Sequence, residues 1–183
     1  MTGTPILTTE RLLLRSIKPE DARAVFNYRS DAIANQYQGW TPKTVDDVVD
    51  FIENKTSAEF DVYNTWHQLV IILKENNELI GDIGLHFLDE EGKQLEIGCT
   101  LNKSYHGKGF SIEALKETIN FLFKDLNKRR IVTSIDPRNL PSIALVERLG
   151  LRKEAHFKES ILINGEWVDD MIYAMLRDDW KTG

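Results

Sequence analysis

The stretch LEIGCTLNKSYHGKGFSIEALKETINFLFKDL, residues 95–126, decides the fold. Its first part alternates, with Leu95, Ile97, Cys99 and Leu101 set against Glu96, Gly98 and Thr100, the two-residue period of a strand. Its last part repeats at helical spacing, with Leu115, Ile119, Leu122 and Leu126 at steps of four, three and four. Between them lies His106-Gly107-Lys108-Gly109-Phe110. Two glycines one residue apart let the backbone curl so that successive N–H groups point at one place, and a helix starts directly behind them. Converging donors and the positive end of a helix suit a phosphate. A plain glycine-containing helix entry fits the same residues. The dinucleotide fingerprint does not fit, because a third glycine is missing and the preceding strands read as antiparallel. An NTP P-loop is excluded because no Gly-Lys-Ser/Thr closes the turn.

Upstream, Leu69 to Leu73 is β-rich and Asn76-Asn77 supplies a turn. Leu79, Gly81, Ile83, Leu85 and Phe87 then alternate with Asp82, Gly84 and His86, and Asp89 to Lys93 turns into the strand at 95–101. This predicts an antiparallel meander of three strands. Nearer the N-terminus, Leu12 to Leu14 reads as a short strand, and Pro19-Glu20-Asp21 opens a helix through Ala22, Val25 and Phe26. After a break at Gly39 to Pro42, a second helix carries Val45, Val48, Val49 and Ile52 on one face. Downstream come a strand at Ile131 to Ile135 and a helix from Pro141 that ends at Gly150. Ile161 to Ile163 and Trp167 to Met175 flank Asn164-Gly165, a strong hairpin signal. The order predicts an α+β domain on a mostly antiparallel sheet with about four helices.

The length, 183 residues, suits one domain spanning 1–183. Hydrophobic residues at 42% and charged residues at 28% exclude disordered and fibrous classes. A net charge of −6 argues against nucleic acid, whose phosphates demand positive charge, and suits a cationic partner. Cys99 is the single cysteine, so an intrachain disulfide and a cysteine metal cage are excluded, and the four histidines show no ligand spacing. No basic start precedes a long apolar run, and the longest aliphatic run is too short for a bilayer. A cytoplasmic protein without metal or membrane partner is expected.

Glu96-Ile97-Gly98, Gly107-Lys108-Gly109-Phe110 and Glu113-Ala114-Leu115 resemble the acetyl-coenzyme A binding core of the GNAT N-acetyltransferases. Asn139 through Ser142 to Leu149-Gly150-Leu151 resembles their next motif. Thr9-Glu10-Arg11-Leu12-Leu13-Leu14-Arg15, and Gly165-Glu166-Trp167 with Asp169 and Tyr173, are similar to the RimJ/RimL-type branch. The resemblance implies a GNAT-like sheet whose strands splay on either side of the helix that begins near Ser111. It implies acetyl-CoA as cosubstrate, with its pantetheine arm along Cys99, Thr100 and Leu101. The pyrophosphate would sit on the N–H groups of His106, Gly107, Lys108, Gly109, Phe110 and Ser111, and Asn139 and Ser142 would meet the arm.

Two positions depart from the family. Ser104 stands where relatives prefer Gln or Arg, and Val146 where many carry a Tyr that protonates the departing thiolate. Ser142, one turn before Val146, is the expected replacement acid; capping a helix is its other role. Glu96, on a strand where burial raises a carboxyl pKa, is the expected base, with Asp82, His86 and Glu166 in reserve. Cys99 is expected to be a small sheet residue, with a nearby backbone N–H facing the oxyanion. Tyr37, Trp40 and Asp82 are placed on the acceptor side.

The implied reaction is direct acetyl transfer, in a ternary complex, to a primary amine. A protein or peptide N-terminus is favoured, because an α-amine (pKa about 7.7–8.0) is far more often neutral than a lysine (about 10.4). A small amine or amino acid, and a CoA-binding module without catalysis, are the rival readings. The branch also implies a homodimer or larger assembly.

Overall fold

The computed structural model describes residues 5–163 and 165–181. Eight strands form one sheet: β1 (Leu7–Thr8), β2 (Leu12–Ser16), β3 (Trp66–Leu73), β4 (Glu78–Phe87), β5 (Gln94–Leu101), β6 (Arg130–Ile135), β7 (Arg152–Ile163) and β8 (Glu166–Leu176). Their spatial order is β1-β2-β3-β4-β5-β6-β8-β7. Every pair is antiparallel except β5 with β6. The expected α+β architecture is therefore the observed one.

The helices are α1 (Ala22–Arg29), α2 (Val45–Asn54), α3 (Phe110–Asn120) and α4 (Leu140–Arg148). Thr44 caps α2, accepting the Asp47 N–H at 3.1 Å, while the Asp47 carboxylate takes the Thr44 N–H at 2.9 Å. On one face of the sheet, Leu115, Ile119 and Val146 from α3 and α4 join Leu95, Ile97 and Ile131 in the main core. On the other face, α1 and α2 close a second cluster of Ala22, Val25, Tyr28, Val48 and Ile52. The predicted stripe of α3 is the buried one; past Asn120 it loosens into a π-helical turn, Phe121–Asp125.

β7 differs most from expectation. Only its end, Ile161–Ile163, reads as a strand, yet pairing begins at Arg152. The segment 152–160 is charged and almost wholly exposed on both faces at the sheet edge, so it lacks the apolar alternation that a half-buried strand writes into sequence. Two register shifts, after Lys153 and after Phe157, interrupt it further. β1 was likewise unexpected, being only two residues long. The hairpin turn is flanked by the strands foreseen for it, although Asn164 lies outside the described residues. Among the described residues, no helix is long and apolar enough to cross a membrane.

Candidate active site

The site begins with a parting of strands. β5 and β6 pair over three positions only, Gln94, Leu95 and Glu96 with Arg130, Ile131 and Val132. β5 then runs on to Leu101 and β6 to Ile135 without pairing. On its other edge β5 stays bonded to β4: Asn102 N–H donates to Ile80 O at 2.8 Å, and Leu88 N–H to Gln94 O at 3.0 Å. In an antiparallel ladder alternate residues turn their main chain to the same side. The even positions therefore face β4, and the peptide groups of Cys99 and Leu101 face the gap.

The gap opens a cleft of about 120 Å³ through the sheet. Leu115, Ile119, Ser142 and Val146 line it from the α3 and α4 side, and Tyr37 and Gln38 from the α1–α2 connection. Asn139 and Ser142 lie together at the start of α4, where Asn139 Oδ1 accepts the Ser142 N–H at 3.3 Å. Asn139 is thus the cap, and the Ser142 hydroxyl makes no capping bond among the described residues.

Glu96 lies on the opposite sheet face from α3, beside Gly98, where an added Cβ would meet nothing within 4 Å. Its carboxylate is 3.7 Å from His86 Nδ1, and His86 stacks on Trp66 at 4.7 Å. Burial holds the Glu96 carboxyl above the usual range; His86 opposes this and Asp170 adds to it. Asp170, buried on β8, accepts the Ser134 hydroxyl at 2.7 Å. Neither Asp170 nor Ser134 stands out in the sequence, because their meeting depends on the pairing of β6 with β8.

At the other end of β5, Asn102 accepts the Ser104 N–H at 3.1 Å, and the His106 ring bonds the Leu101 carbonyl at 2.8 Å. Gly107 and Gly109 have φ of 74° and 80°, the left-handed region that favours glycine. Among the described residues, the N–H groups of Gly107 through Ile112 have no acceptor, whereas the Glu113 N–H returns to Gly109 O. Six successive free donors, three before α3 and three in its first turn, form a cradle for an anion. Lys108 Nζ lies 5.1 Å over the Tyr105 ring.

Other expected residues lie elsewhere. Asp82, expected on the acceptor side, is 1% exposed and bound to Arg29 Nη2 at 2.5 Å, the Tyr28 hydroxyl and Gln68. Trp40 stacks on Phe51 at 4.4 Å in the α1–α2 cluster and does not line the cleft, whereas Tyr37 does. Thr100 is buried opposite Asp82 on the α1 face. Glu166 is largely exposed, 3.7 Å from Arg138. The Cys99 thiol is pushed up to about 12, chiefly by burial and then by Asp82, so it stays protonated and is a poor nucleophile.

The GNAT acetyltransferase domain model matches residues 11–152. The chain belongs to the GNAT acetyltransferase family. Membership makes it an acetyl-CoA-dependent N-acetyltransferase. It is 34% identical to an uncharacterized N-acetyltransferase, p20, of Bacillus licheniformis, over 95% of this chain and 97% of that one. It is 26% identical to the [ribosomal protein uS5]-alanine N-acetyltransferase of Escherichia coli, over 97% and 93%. A GNAT acetyltransferase structure from Bacillus anthracis superposes with a TM-score of 0.84 at 31% identity, covering 95% of this chain and 99% of that one. This acetyltransferase also shares its fold with RimL, the ribosomal L7/L12 α-N-protein acetyltransferase in complex with coenzyme A, with a TM-score of 0.85 at 20% identity over 96% and 99%.

Proposed function

We propose that this acetyltransferase acts on the α-amine at a protein or peptide N-terminus. The observation that carries the reading is the cleft through the sheet, lined from both faces, which lets donor and acceptor approach from opposite sides. The relationship to the uS5-alanine N-acetyltransferase over nearly the whole chain supports that acceptor class.

The residues present fit acetyl-CoA. The free N–H groups from Gly107 onward suit its diphosphate, and the Cys99 carbonyl and Leu101 N–H, which face the gap, suit the amide-bearing arm as an added strand. Acetyl-CoA supplies an acetyl group on a thioester. Cys99 N–H, facing the gap, is placed to stabilise negative charge on a carbonyl oxygen. Glu96 takes a proton from the amine, and Ser142 gives one to a departing thiolate.

Two outcomes test these roles. Ser142→Ala should lower kcat about ten- to a hundredfold while acetyl-CoA affinity stays within about twofold. Unchanged turnover would leave Ser142 only its place at the start of α4. For Glu96 the ionised form is the active one, so kcat/KM should fall as pH drops through its raised pKa. That acidic limb should lie above the ordinary glutamate value of about 4.3. Glu96→Gln should remove the limb and slow transfer about a hundredfold; a limb that survives would assign it to another group.

The acceptor class is tested by thiol release from acetyl-CoA with free peptides, N-terminally blocked peptides carrying lysine, amino acids and polyamines. Release with free N-termini alone supports the proposal. Release with small amines alone would move the enzyme to small-molecule acetylation.

A further inference from the structure

Thr9-Glu10-Arg11 precedes β2, and Arg11 lies 97 residues from Lys108 in the chain, yet the two meet in space. Arg11 N–H donates to Glu113 Oε1 at 3.0 Å, and its Nε to Glu113 Oε2 at 2.7 Å. Thr9 Oγ1 donates to the same carboxylate at 2.5 Å. Burial pushes the Glu113 carboxyl up, but these donors outweigh it and hold the group below its usual range. The guanidinium lies 4.3 Å over the Phe110 ring, and Nη1 donates to the Lys108 carbonyl at 3.1 Å. On the other side, the Lys74 N–H donates to the Arg11 carbonyl at 2.9 Å, tying the segment to the sheet.

The Lys108 carbonyl is the informative partner. In a trans peptide, C=O and N–H point in opposite directions. Holding the Lys108 oxygen therefore fixes the direction of the Gly109 N–H. Gly109, which borders this peptide, has φ of 80° and the freedom to let it flip, and a flip would reverse the donor. We propose that Arg11 is a positioning residue for the phosphate cradle, holding the Lys108–Gly109 peptide so that the Gly109 N–H is presented to the diphosphate. The proposal rests on the cradle reading above. Glu113 balances the charge of Arg11, so the contribution is orientation rather than net charge. It also shows how a loop with Ser104 in place of a longer polar side chain is kept in shape, by a residue from another strand.

The test compares acetyl-CoA with S-acetylpantetheine, which carries the same acyl arm and no diphosphate. Arg11→Gln should raise the acetyl-CoA Kd about tenfold, the loss of about one hydrogen bond's worth of binding, and change the S-acetylpantetheine Kd less than about twofold. Arg11→Lys keeps the charge but not the fork that spans a carboxylate and a carbonyl together, so it should lose acetyl-CoA affinity similarly while remaining folded. Unchanged acetyl-CoA binding in both variants would overturn the proposal. So would equal weakening of both ligands, which marks a merely structural residue. A wild-type protein that binds the two ligands equally well would remove the cradle and the proposal with it. Gly109→Val, run alongside, separates these failures, because it loses acetyl-CoA wherever the cradle holds, whatever Arg11 does.

Discussion

Gly109→Val is expected to weaken acetyl-CoA binding about a hundredfold or more, roughly 2.7 kcal/mol, while the fold persists. Space is not the obstacle: a Cβ at Gly109 would meet only Arg11 Nη2, at 3.5 Å. Conformation is. At φ of 80° a β-branched residue is a severe outlier, and the chain relieves the strain by turning the adjoining peptides. That turns the free N–H groups of the cradle away from their common point. Gly107, at φ of 74° in open space, should behave alike on substitution by Val. Gly92→Ala, at φ of 62° in the β4–β5 turn, is the control: it should cost stability and leave acetyl-CoA affinity unaltered. Titration of acetyl-CoA into each variant reads the difference. Wild-type affinity in Gly109→Val would show that the turn does not hold the diphosphate.

The largest stability effect is expected from Asp82→Ala, a loss of about 3–5 kcal/mol. The substitution strands Arg29, itself 8% exposed, without its carboxylate. It also deprives the Tyr28 hydroxyl and the Gln68 amide of their acceptor. Breaking a buried pair costs more than replacing both members, so Arg29→Met combined with Asp82→Ala should be less damaged than Asp82→Ala alone. Urea unfolding measures this as a shift in midpoint at constant slope. A loss under about 1 kcal/mol would show that the pair is solvated, and Asp82 would return as a candidate for contact with the acceptor.

Asp82 also illustrates where sequence reading stops. On β4 it alternates with apolar residues, which marks the face it occupies but not what covers that face. Only the packing of α1 across the sheet supplies Arg29 and Tyr28. Trp40 is a like case, because an aromatic between two helices reads as lining the acceptor side or as packing against its neighbours, and only its stacking on Phe51 separates the two. The residues of the glycine turn were legible because their chemistry is local: two positive-φ positions and a helix start fall within five residues. The order of the elements was legible for the same reason, since strand and helix periods are short. The parting of β5 from β6 was not readable from periodicity and entered only through resemblance. The Arg11–Glu113 tie, and the meeting of Ser134 with Asp170, are pairings between distant segments with no local signature. The charged half of β7 lacked a pattern because it has no buried face to write one.

Acetyl transfer to an α-amine is the reaction proposed for this enzyme. The most direct measurement uses one peptide bearing both a free N-terminus and an internal lysine, with acetyl-CoA as donor, and locates the acetyl group by fragmentation mass spectrometry. The N-terminal nitrogen should be acetylated and the lysine unmodified. An acetyl group on the lysine, with the N-terminus left free, would contradict the proposal.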